Sequence, residues 1–339
     1  MKLAELLAKG RALGASDLHL VQGEIPVFRV NGQLLREGNH RLEARDLEDI
    51  LAELLPGGEG PLPDDLRERD FAWKDPVQNR YRVNIHRQME TFAVSIRIIR
   101  KFIPPMAELG LPGAAEELLA LESGLVLVTG ATGSGKSTTL AALVETLNHT
   151  RALNIITIED PVEYVFNGDK SLIRQREIGR DTASFQAALR SALRQDPDVI
   201  LVGEMRDLES IEAAITVAET GHLVLGTLHT TGAVEAVDRI IDVFPKEKQS
   251  QIRLQVASVL KAVVNQQLIP GVSGSPVLAC EILRNTPAVA SYILQGRTNQ
   301  IPSLLESGQK NGMVSMRKSL EALYKTGKID EIQYKKRMP

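Results

Sequence analysis

Apolar positions follow two different periods along the chain, and the change from one to the other divides it in two. In the first hundred residues apolar and polar positions alternate, most clearly at 80–87 and 92–100. A period of two is typical of half-buried strands, and the Asn31-Gly32 pair adds a hairpin turn. Beyond residue 120 the apolar residues form continuous runs such as 125–129, followed by helical spacing such as that of 140–147. We therefore expect an α+β region followed by an α/β region with a parallel sheet.

The alternating segments of the first region also predict how two of its strands pair. If they form a hairpin around Met89, Val83 lies opposite Ile96 on one apolar face, and a slip by one residue would destroy that match. The same register places Arg82 opposite Arg97, although like charges in direct opposition destabilise a sheet. Two interpretations remain open: a solvated basic face with carboxylates nearby, or an anion site, for which paired guanidinium groups are well suited.

One glycine-rich stretch indicates what the second region binds. Residues 130–137 read G-x-x-x-x-G-K-S, the pattern of a phosphate-binding loop, and lie between a predicted strand and a predicted helix. Main-chain N–H groups of such a loop surround phosphates at the positive end of the helix. We expect Lys136 to reach the β- and γ-phosphates of a nucleoside triphosphate and Ser137 to place its hydroxyl on Mg²⁺. The expected nucleotide contacts are Gly130, Thr132, Gly133, Ser134, Gly135, Lys136, Ser137 and Thr138.

Acidic residues follow two predicted strands of the same region. The run 154–158 leads into the acidic residues of 159–163, and the run 199–202 is followed by Gly203 and Glu204. The carboxyl ends of strands form the edge at which open α/β sheets bind ligands. Carboxylates beside bound phosphates coordinate Mg²⁺ or orient an attacking water. The alternative is a solvated acidic turn.

Two histidines flank the next apolar run, His222 before it and His229 after it. A histidine at a strand end beside a phosphate site can sense the γ-phosphate or contact a neighbouring subunit, but a single histidine of this kind is more often structural. Further along, the spacing of Ile252, Val256 and Val263 predicts one long helix.

Taken in order, these segments resemble a known family. The stretches 130–138, 158–163, 198–207 and 220–231 are similar to the Walker A, Asp, Walker B and His boxes of the type II/type IV secretion ATPase superfamily. The stretch Ser16-Asp17-Leu18-His19 resembles the start of that family's N-terminal domain. The resemblance implies an α/β protein with a RecA-like P-loop ATPase domain, an N-terminal PAS-like α+β domain and C-terminal helices. The expected bounds are 1–100 for the PAS-like domain, 101–111 for a linker, 112–280 for the ATPase domain and 281–339 for the C-terminal helical region.

The resemblance also implies roles for the acidic and histidine residues. Glu163 would orient or deprotonate the attacking water. Glu204 would bond a water on Mg²⁺, so the metal site would comprise Ser137 and Glu204. His229 and His222 would couple the phosphate state to contacts between subunits.

The two opposed arginines match family residues as well. Arg82 and Arg97 would reach ATP from the N-terminal domain, which favours the anion site over the solvated face. Their charges would offset the charge that develops on the transferred phosphoryl group.

The stretch 285–289 and the overall length are similar to those of one branch of this superfamily, the type IV pilus retraction ATPases, which act in twitching motility as homohexamers. Its implied partners are an inner-membrane pilus platform protein and, as a further candidate, a paralogous retraction ATPase. The single cysteine, Cys280, argues against the four-cysteine zinc motif of the assembly branch. The stretch 288–295 departs from the polar segment typical of retraction ATPases, so an accessory retraction role or an assembly role for pilus or secretion stays open.

Composition bears on the remaining partners and on location. The net charge of −3 gives no electrostatic footprint for nucleic acid, and a nucleic-acid translocase is the least favoured alternative. We expect no nucleic-acid partner. The chain shows no signal peptide and no apolar run of membrane-spanning length, which predicts a cytoplasmic protein that associates peripherally with the inner membrane through the pilus machinery.

Overall fold

The computed structural model describes residues 2–30, 32–55, 67–99 and 102–338. Contacts divide the chain into two compact units, Met1–Phe102 and Ile103–Pro339. Asn31 of the predicted hairpin turn lies outside the described residues. Among the described residues, no helix combines the length and the apolar character needed to cross a membrane.

The described residues of the first unit form a six-stranded antiparallel sheet and two helices. The strand order of this sheet is β3-β2-β1-β6-β5-β4. Leu7 of α1 and Ile50 of α2 belong to the same buried cluster as Leu18 of β1 and Ile96 of β6, so both helices contribute to the core of this sheet. The elements are α1 Leu3–Ala12, β1 Asp17–Val21, β2 Val27–Val30, β3 Gln33–Arg36, α2 Ala44–Leu54, β4 Glu68–Lys74, β5 Arg80–Gln88 and β6 Thr91–Ile98.

The predicted pairing of β5 with β6 is confirmed. Val83 lies opposite Ile96, and Arg82 lies opposite Arg97. The hairpin turns through Met89 and Glu90, which both have positive φ, 45° and 65°. Two successive residues of this kind give the backbone twist that joins antiparallel strands through a two-residue loop.

The second unit has a seven-stranded sheet of order β13-β12-β7-β11-β10-β8-β9. The six strands from β12 to β9 run parallel, and only β13 among the described strands of this sheet is antiparallel. Its strands are β7 Gly124–Thr129, β8 Asn154–Glu159, β9 Leu172–Glu177, β10 Val199–Val202, β11 Leu223–Leu228, β12 Leu260–Pro270 and β13 Pro276–Arg284. Its helices are α3 Lys136–Thr150, α4 Phe185–Ala192, α5 Leu208–Glu219, α6 Ala233–Asp242, α7 Lys246–Val259, α8 Pro287–Leu294, α9 Ile301–Ser307, α10 Met316–Lys325 and α11 Glu331–Arg337, with 3₁₀ turns at Met106–Glu108, Gly113–Ala120, Thr298–Gln300 and Gly308–Asn311.

Helices cover both faces of this parallel sheet. Val126 of β7 belongs to the buried cluster of Leu143 in α3, and its neighbour Leu127 belongs to that of Ile211 in α5. Successive side chains of a strand point to opposite faces, so the two clusters are the two cores of a three-layer α/β unit. The α/β class with a RecA-like P-loop ATPase domain, an N-terminal α+β domain and C-terminal helices is confirmed.

Three features of the second unit differ in detail from the sequence expectations. The helix predicted to continue through Val263 ends at Val259, and Leu260–Pro270 is strand β12. Met106, from the segment predicted as a linker, packs against the core of the second unit. Strand β13 spans the predicted boundary between 280 and 281.

Candidate nucleotide-binding and catalytic site

The phosphate loop has a shape that only glycine allows at its first position. Gly130 has φ +140°, and a Cβ there would lie 2.4 Å from the main-chain oxygen of Gln266 and 2.5 Å from Oγ of Ser134. Gly135 precedes α3 with φ +91°, again a left-handed conformation. The loop begins directly after β7 and ends at the N-terminus of α3. Its main-chain N–H groups therefore lie beside that helix N-terminus, as the sequence predicts for a phosphate site.

Lys136 lies buried against its own loop. Its Nζ donates to the carbonyl oxygens of Gly130 at 2.9 Å and Ala131 at 3.0 Å. Burial lowers the pKa of Lys136, and the negative charges of Glu204 and Glu163 oppose that shift. The structure thus brings both predicted carboxylates within electrostatic reach of the predicted phosphate-binding lysine.

The remaining loop residues supply oxygen and N–H groups. Ser134 Oγ is buried and has no hydrogen-bond partner among the residues that the structure describes. Ser137 and Thr138 lie in the first turn of α3, while Thr132 and Gly133 are exposed. Mg²⁺ binds through one or two protein oxygens together with phosphates of the substrate. The hydroxyl of Ser137 and the carboxylate of Glu204 are hard oxygen donors of the kind such an ion prefers.

Glu163 lies in the segment after β8. The side chain of the buried Glu159 holds this segment by a hydrogen bond. The main-chain N–H of Glu163 donates to Oε2 of Glu159 at 3.3 Å, and Oγ1 of Thr157 donates to Oε1 of Glu159 at 2.6 Å. Burial raises the pKa of Glu159. Glu163 itself is exposed, so its carboxylate is free to face a ligand while its main chain is fixed.

Glu204 and His229 meet at the ends of neighbouring strands β10 and β11. Nε2 of His229 lies 3.0 Å from Oε1 of Glu204, and Nη2 of Arg206 donates to Oε2 of Glu204 at 2.7 Å. Burial alone would raise the pKa of Glu204. The hydrogen bond and charge of Arg206, with the charges of His229 and Lys136, outweigh burial and lower that pKa. Glu204 is therefore held as an oriented carboxylate.

His222 lies at the opposite end of β11 from His229. Its Nδ1 is 2.9 Å from Oγ1 of Thr220, and its main-chain oxygen accepts from Gly124 at the start of β7. Six residues of strand separate the two histidines, roughly 20 Å at the usual rise. The structure does not bring His222 to the phosphate loop of its own chain, so a role at a contact between subunits stays a prediction.

Arg82 and Arg97 lie on an exposed face of the first unit. Nε of Arg97 donates to Oδ1 of Asp17 at 3.0 Å. Asp17 lies opposite Arg97 across the β1–β6 pair, as Arg82 does across β5–β6, so one carboxylate reduces the repulsion between the two guanidinium groups.

Three side chains outside the sequence motifs also bond to residues at the ends of the loop or in its helix. They are Asn265, Gln266 and Tyr164. Oγ1 of Thr129 donates to Asn265, Nε2 of Gln266 donates to Thr139, and the hydroxyl of Tyr164 lies 2.8 Å from Oγ1 of Thr138. The available signal was the polar pair Asn265-Gln266 inside the apolar run of β12, because a buried amide requires a hydrogen-bond partner.

Comparison with known proteins gives consistent matches over this whole architecture. Residues 4–277 match the protein family described as "Type II/IV secretion system protein". The chain is 43% identical over 329 residues to the type IV pilus retraction ATPase PilT of Pseudomonas aeruginosa, covering 97% of this chain and 96% of the relative. It is 36% identical over 330 residues to the type IV pilus ATPase PilU of the same organism, covering 97% and 86%. A crystal structure of the pilus retraction motor PilT with bound ADP matches 100% of this chain and 97% of its own, with 40% identity and a TM-score of 0.90. This chain belongs to the family of type II/IV secretion system proteins.

Proposed function

We propose that this chain is the ATP-hydrolysing subunit of a hexameric motor that drives type IV pilus retraction. The observation that carries the proposal is the meeting of phosphate loop and carboxylates at one edge of the parallel sheet. Buried Lys136 lies within the fields of both Glu204 and Glu163, and these are the groups needed to bind a triphosphate and to activate water. A relative named for pilus retraction that matches nearly the full chain supports the choice of machine.

The positions of these groups support a route for hydrolysis. The loop N–H groups and Lys136 bind the phosphates. Ser137 and Glu204 would hold Mg²⁺, which would neutralise phosphate charge when bound. Glu163 accepts a proton from the attacking water as that water bonds to the γ-phosphorus. The bond from the γ-phosphorus to the bridging oxygen breaks, and ADP and phosphate leave.

The arginine pair and the histidines connect this reaction to movement. Arg82 and Arg97 stabilise charge on the phosphoryl group, a contribution of about 10³–10⁵ in rate for arginines of this kind in related enzymes. His229, held by Glu204, responds to the γ-phosphate. His222 acts at a contact with a neighbouring subunit of the hexamer.

The partners of the motor follow from the same proposal. The ring acts on an inner-membrane pilus platform protein and is associated with that membrane peripherally. The match to PilU, another type IV pilus ATPase, supports a paralogous ATPase as a further partner. An accessory role is the second candidate function, because the stretch 288–295 departs from the polar segment typical of retraction ATPases. In α8, Leu294 is exposed within the stretch that departs from typical retraction ATPases.

One experiment separates these functions. Lys136→Ala is introduced in the host organism and surface pili are counted, with the exposed Lys310→Ala as the matched control. Loss of phosphate binding in a retraction motor leaves surplus pili that do not retract. Loss of pili would identify an assembly motor instead, and a normal number with slow retraction would identify an accessory one.

A further inference from the structure

Strand β12 places a fully buried amide between the phosphate loop and the His box. Asn265 is 1% exposed. Its Oδ1 accepts from Oγ1 of Thr129, the last residue before the loop, at 3.2 Å, and its Nδ2 donates to the carbonyl oxygen of Thr231 at 2.8 Å. The side-chain oxygen of Asn265 therefore bonds to the residue before the phosphate loop, and its side-chain nitrogen bonds to the segment after His229.

The next residue of β12 fixes the other side of the loop. The main-chain oxygen of Gln266 lies 2.4 Å from the position that a Cβ on Gly130 would take. Nε2 of Gln266 donates to Oγ1 of Thr139, in the first turn of α3, at 2.8 Å. β12 also pairs in parallel with β7, with Asn265 opposite Thr129. The loop is thus anchored to β12 at its start and just after its end.

The second segment that Asn265 holds includes His229. Thr231 follows His229 by two residues, and His229 contacts Glu204 at 3.0 Å. Two residues further on, the main-chain N–H of Ala233 donates to Oε1 of Glu281 on β13 at 2.9 Å. The stretch 229–233 is therefore attached to β12 at Thr231, to β13 at Ala233 and to the end of β10 at Glu204.

We propose that Asn265 is a positioning residue that transmits displacement of the phosphate loop, through Thr129 and Thr231, to the His229–Glu204 pair. This inference rests on the proposed function. When phosphates displace the carbonyl oxygens of Gly130 and Ala131 from Lys136, the loop is released from its present contacts. A buried amide has no water to replace a lost partner, so both of its bonds are retained and the movement reaches Thr231.

Amide hydrogen exchange tests the proposal without requiring ATP hydrolysis. The exchange rates of residues 229–233 are measured with ADP bound and with a non-hydrolysable ATP analogue bound. In the wild-type protein, exchange is slower with the analogue. In Thr129→Val, which keeps the side-chain shape and removes the hydroxyl, both nucleotides bind but this difference disappears. A difference that persists in Thr129→Val, or that is absent in the wild type, overturns the inference.

A double-mutant cycle on the purified ring gives a second measure. Thr129→Val or Asn265→Leu lowers kcat for ATP by at least about fivefold because a buried bond is lost, while the affinity for ADP is retained. In a His229→Ala background the same changes lower kcat by less than about twofold, since the pair they act on is already broken. Equal losses in both backgrounds contradict the proposal.

The half-buried side chain of Asn285 offers a control for the loss of hydrogen bonds from an asparagine amide. Nδ2 of Asn285 donates to the carbonyl oxygens of Ala257 and Leu260, both at 2.8 Å, away from the loop. Asn285→Leu should change kcat by the same factor with and without His229. If the wild-type ring hydrolyses no ATP, the proposed function fails, whereas the exchange experiment still decides the role of Asn265.

Discussion

The main-chain N–H of Glu163 donates to the buried carboxylate of Glu159 at 3.3 Å, so one glutamate of the Asp box positions the other. The two side chains have opposite surroundings. Glu159 is 9% exposed, and Glu163 is open to solvent. The second contact on this segment comes from Glu177, whose Oε2 accepts from the N–H of Val162 at 3.2 Å. Two anchored N–H groups in succession leave the side chain of Glu163 as the free group at the site.

Glu163→Gln should lower kcat for ATP by about 10²–10⁴, the usual contribution of a positioned general base. The amide keeps the size of the side chain and cannot accept the proton, and the main-chain bond to Glu159 does not depend on that side chain. Nucleotide affinity should therefore stay at the wild-type value. Phosphate release and binding of a fluorescent ATP analogue measure the two effects.

The control for this change is Glu122→Gln, an exposed glutamate of the same unit. It removes the same charge from the protein and should keep the wild-type kcat. If Glu163→Gln also keeps that rate, another group activates the water.

Glu159→Gln should remove a pH dependence of stability. Burial raises the pKa of Glu159 above its ordinary 4.5, so the folded protein binds this proton more tightly than the unfolded chain does. The free energy of unfolding contributed by this group is then fully present below 4.5 and falls as the pH rises towards the folded-state pKa. The stability of wild type relative to Glu159→Gln should decline over that window. Thermal midpoints of both proteins, measured from pH 4.5 to neutrality, test this, and a constant difference would contradict it.

The pairing of β5 with β6 could be predicted from the sequence because its information is local. Val83 and Ile96 lie on one apolar face, and a shift of one residue would expose that face to water. The phosphate loop is local in the same sense, since eight consecutive residues define it. For both features, neighbouring residues in the chain are also neighbours in space.

Strand β12 and its amides could not be predicted in that way. The helical spacing of Ile252 and Val256 continues in phase into Leu260, and a short apolar run is compatible with helix or strand. The two residues that bond to the side chain of Asn265 are far from it along the chain. Thr129 is 136 residues away and Thr231 is 34 residues away. The separation of His222 from His229 likewise depends on the direction of β11 in the sheet, which the composition of that segment does not reveal.

Arg82→Ala and Arg97→Ala should each lower ATP turnover of the purified ring by about 10³–10⁵ if they stabilise the phosphoryl group. The lysine variants should recover only part of the rate, because lysine keeps the charge and loses the planar fork that binds phosphate oxygens. Steady-state phosphate release measures both series.

The control for the arginines is Arg36→Ala on β3, an exposed arginine of the same sheet. It should keep wild-type turnover. If both Arg82→Ala and Arg97→Ala keep full activity, the two arginines are part of a solvated basic face and do not bind the phosphoryl group.

Gly130→Ala and Gly133→Ala should differ sharply in nucleotide binding. At Gly130 the new methyl group would overlap the main-chain oxygen of Gln266 at 2.4 Å, and that oxygen belongs to β12 and cannot move aside cheaply. At Gly133, with φ +80°, no described atom lies within 4 Å of a Cβ, so only the left-handed backbone is penalised, by about 1–2 kcal/mol. Titration with a fluorescent ADP analogue should show lost binding for Gly130→Ala and weakened binding for Gly133→Ala. Equal affinities would show that the overlap is relieved.

Tyr164→Phe should both destabilise the second unit and slow the reaction. The hydroxyl of Tyr164 lies 2.8 Å from Oγ1 of Thr138, and this contact ties the segment of Glu163 to the first turn of α3. Loss of one such bond costs about 0.5–1.5 kcal/mol, which urea unfolding measures. A small displacement of a catalytic group lowers the rate out of proportion to the stability lost, so kcat should fall while ATP affinity changes little.

The reciprocal variant and a distant tyrosine complete this test. Thr138→Val removes the same bond from its other side, so the double variant Tyr164→Phe with Thr138→Val should be about as stable as either single variant. Tyr334→Phe, in a ring stacked on Tyr324 with centroids 4.8 Å apart, also removes a tyrosine hydroxyl but does so in the C-terminal helices. It should leave kcat unchanged. Additive losses in the double variant would mean that Tyr164 and Thr138 act separately, and the segment of Glu163 would then depend on Glu159 and Glu177 for its position.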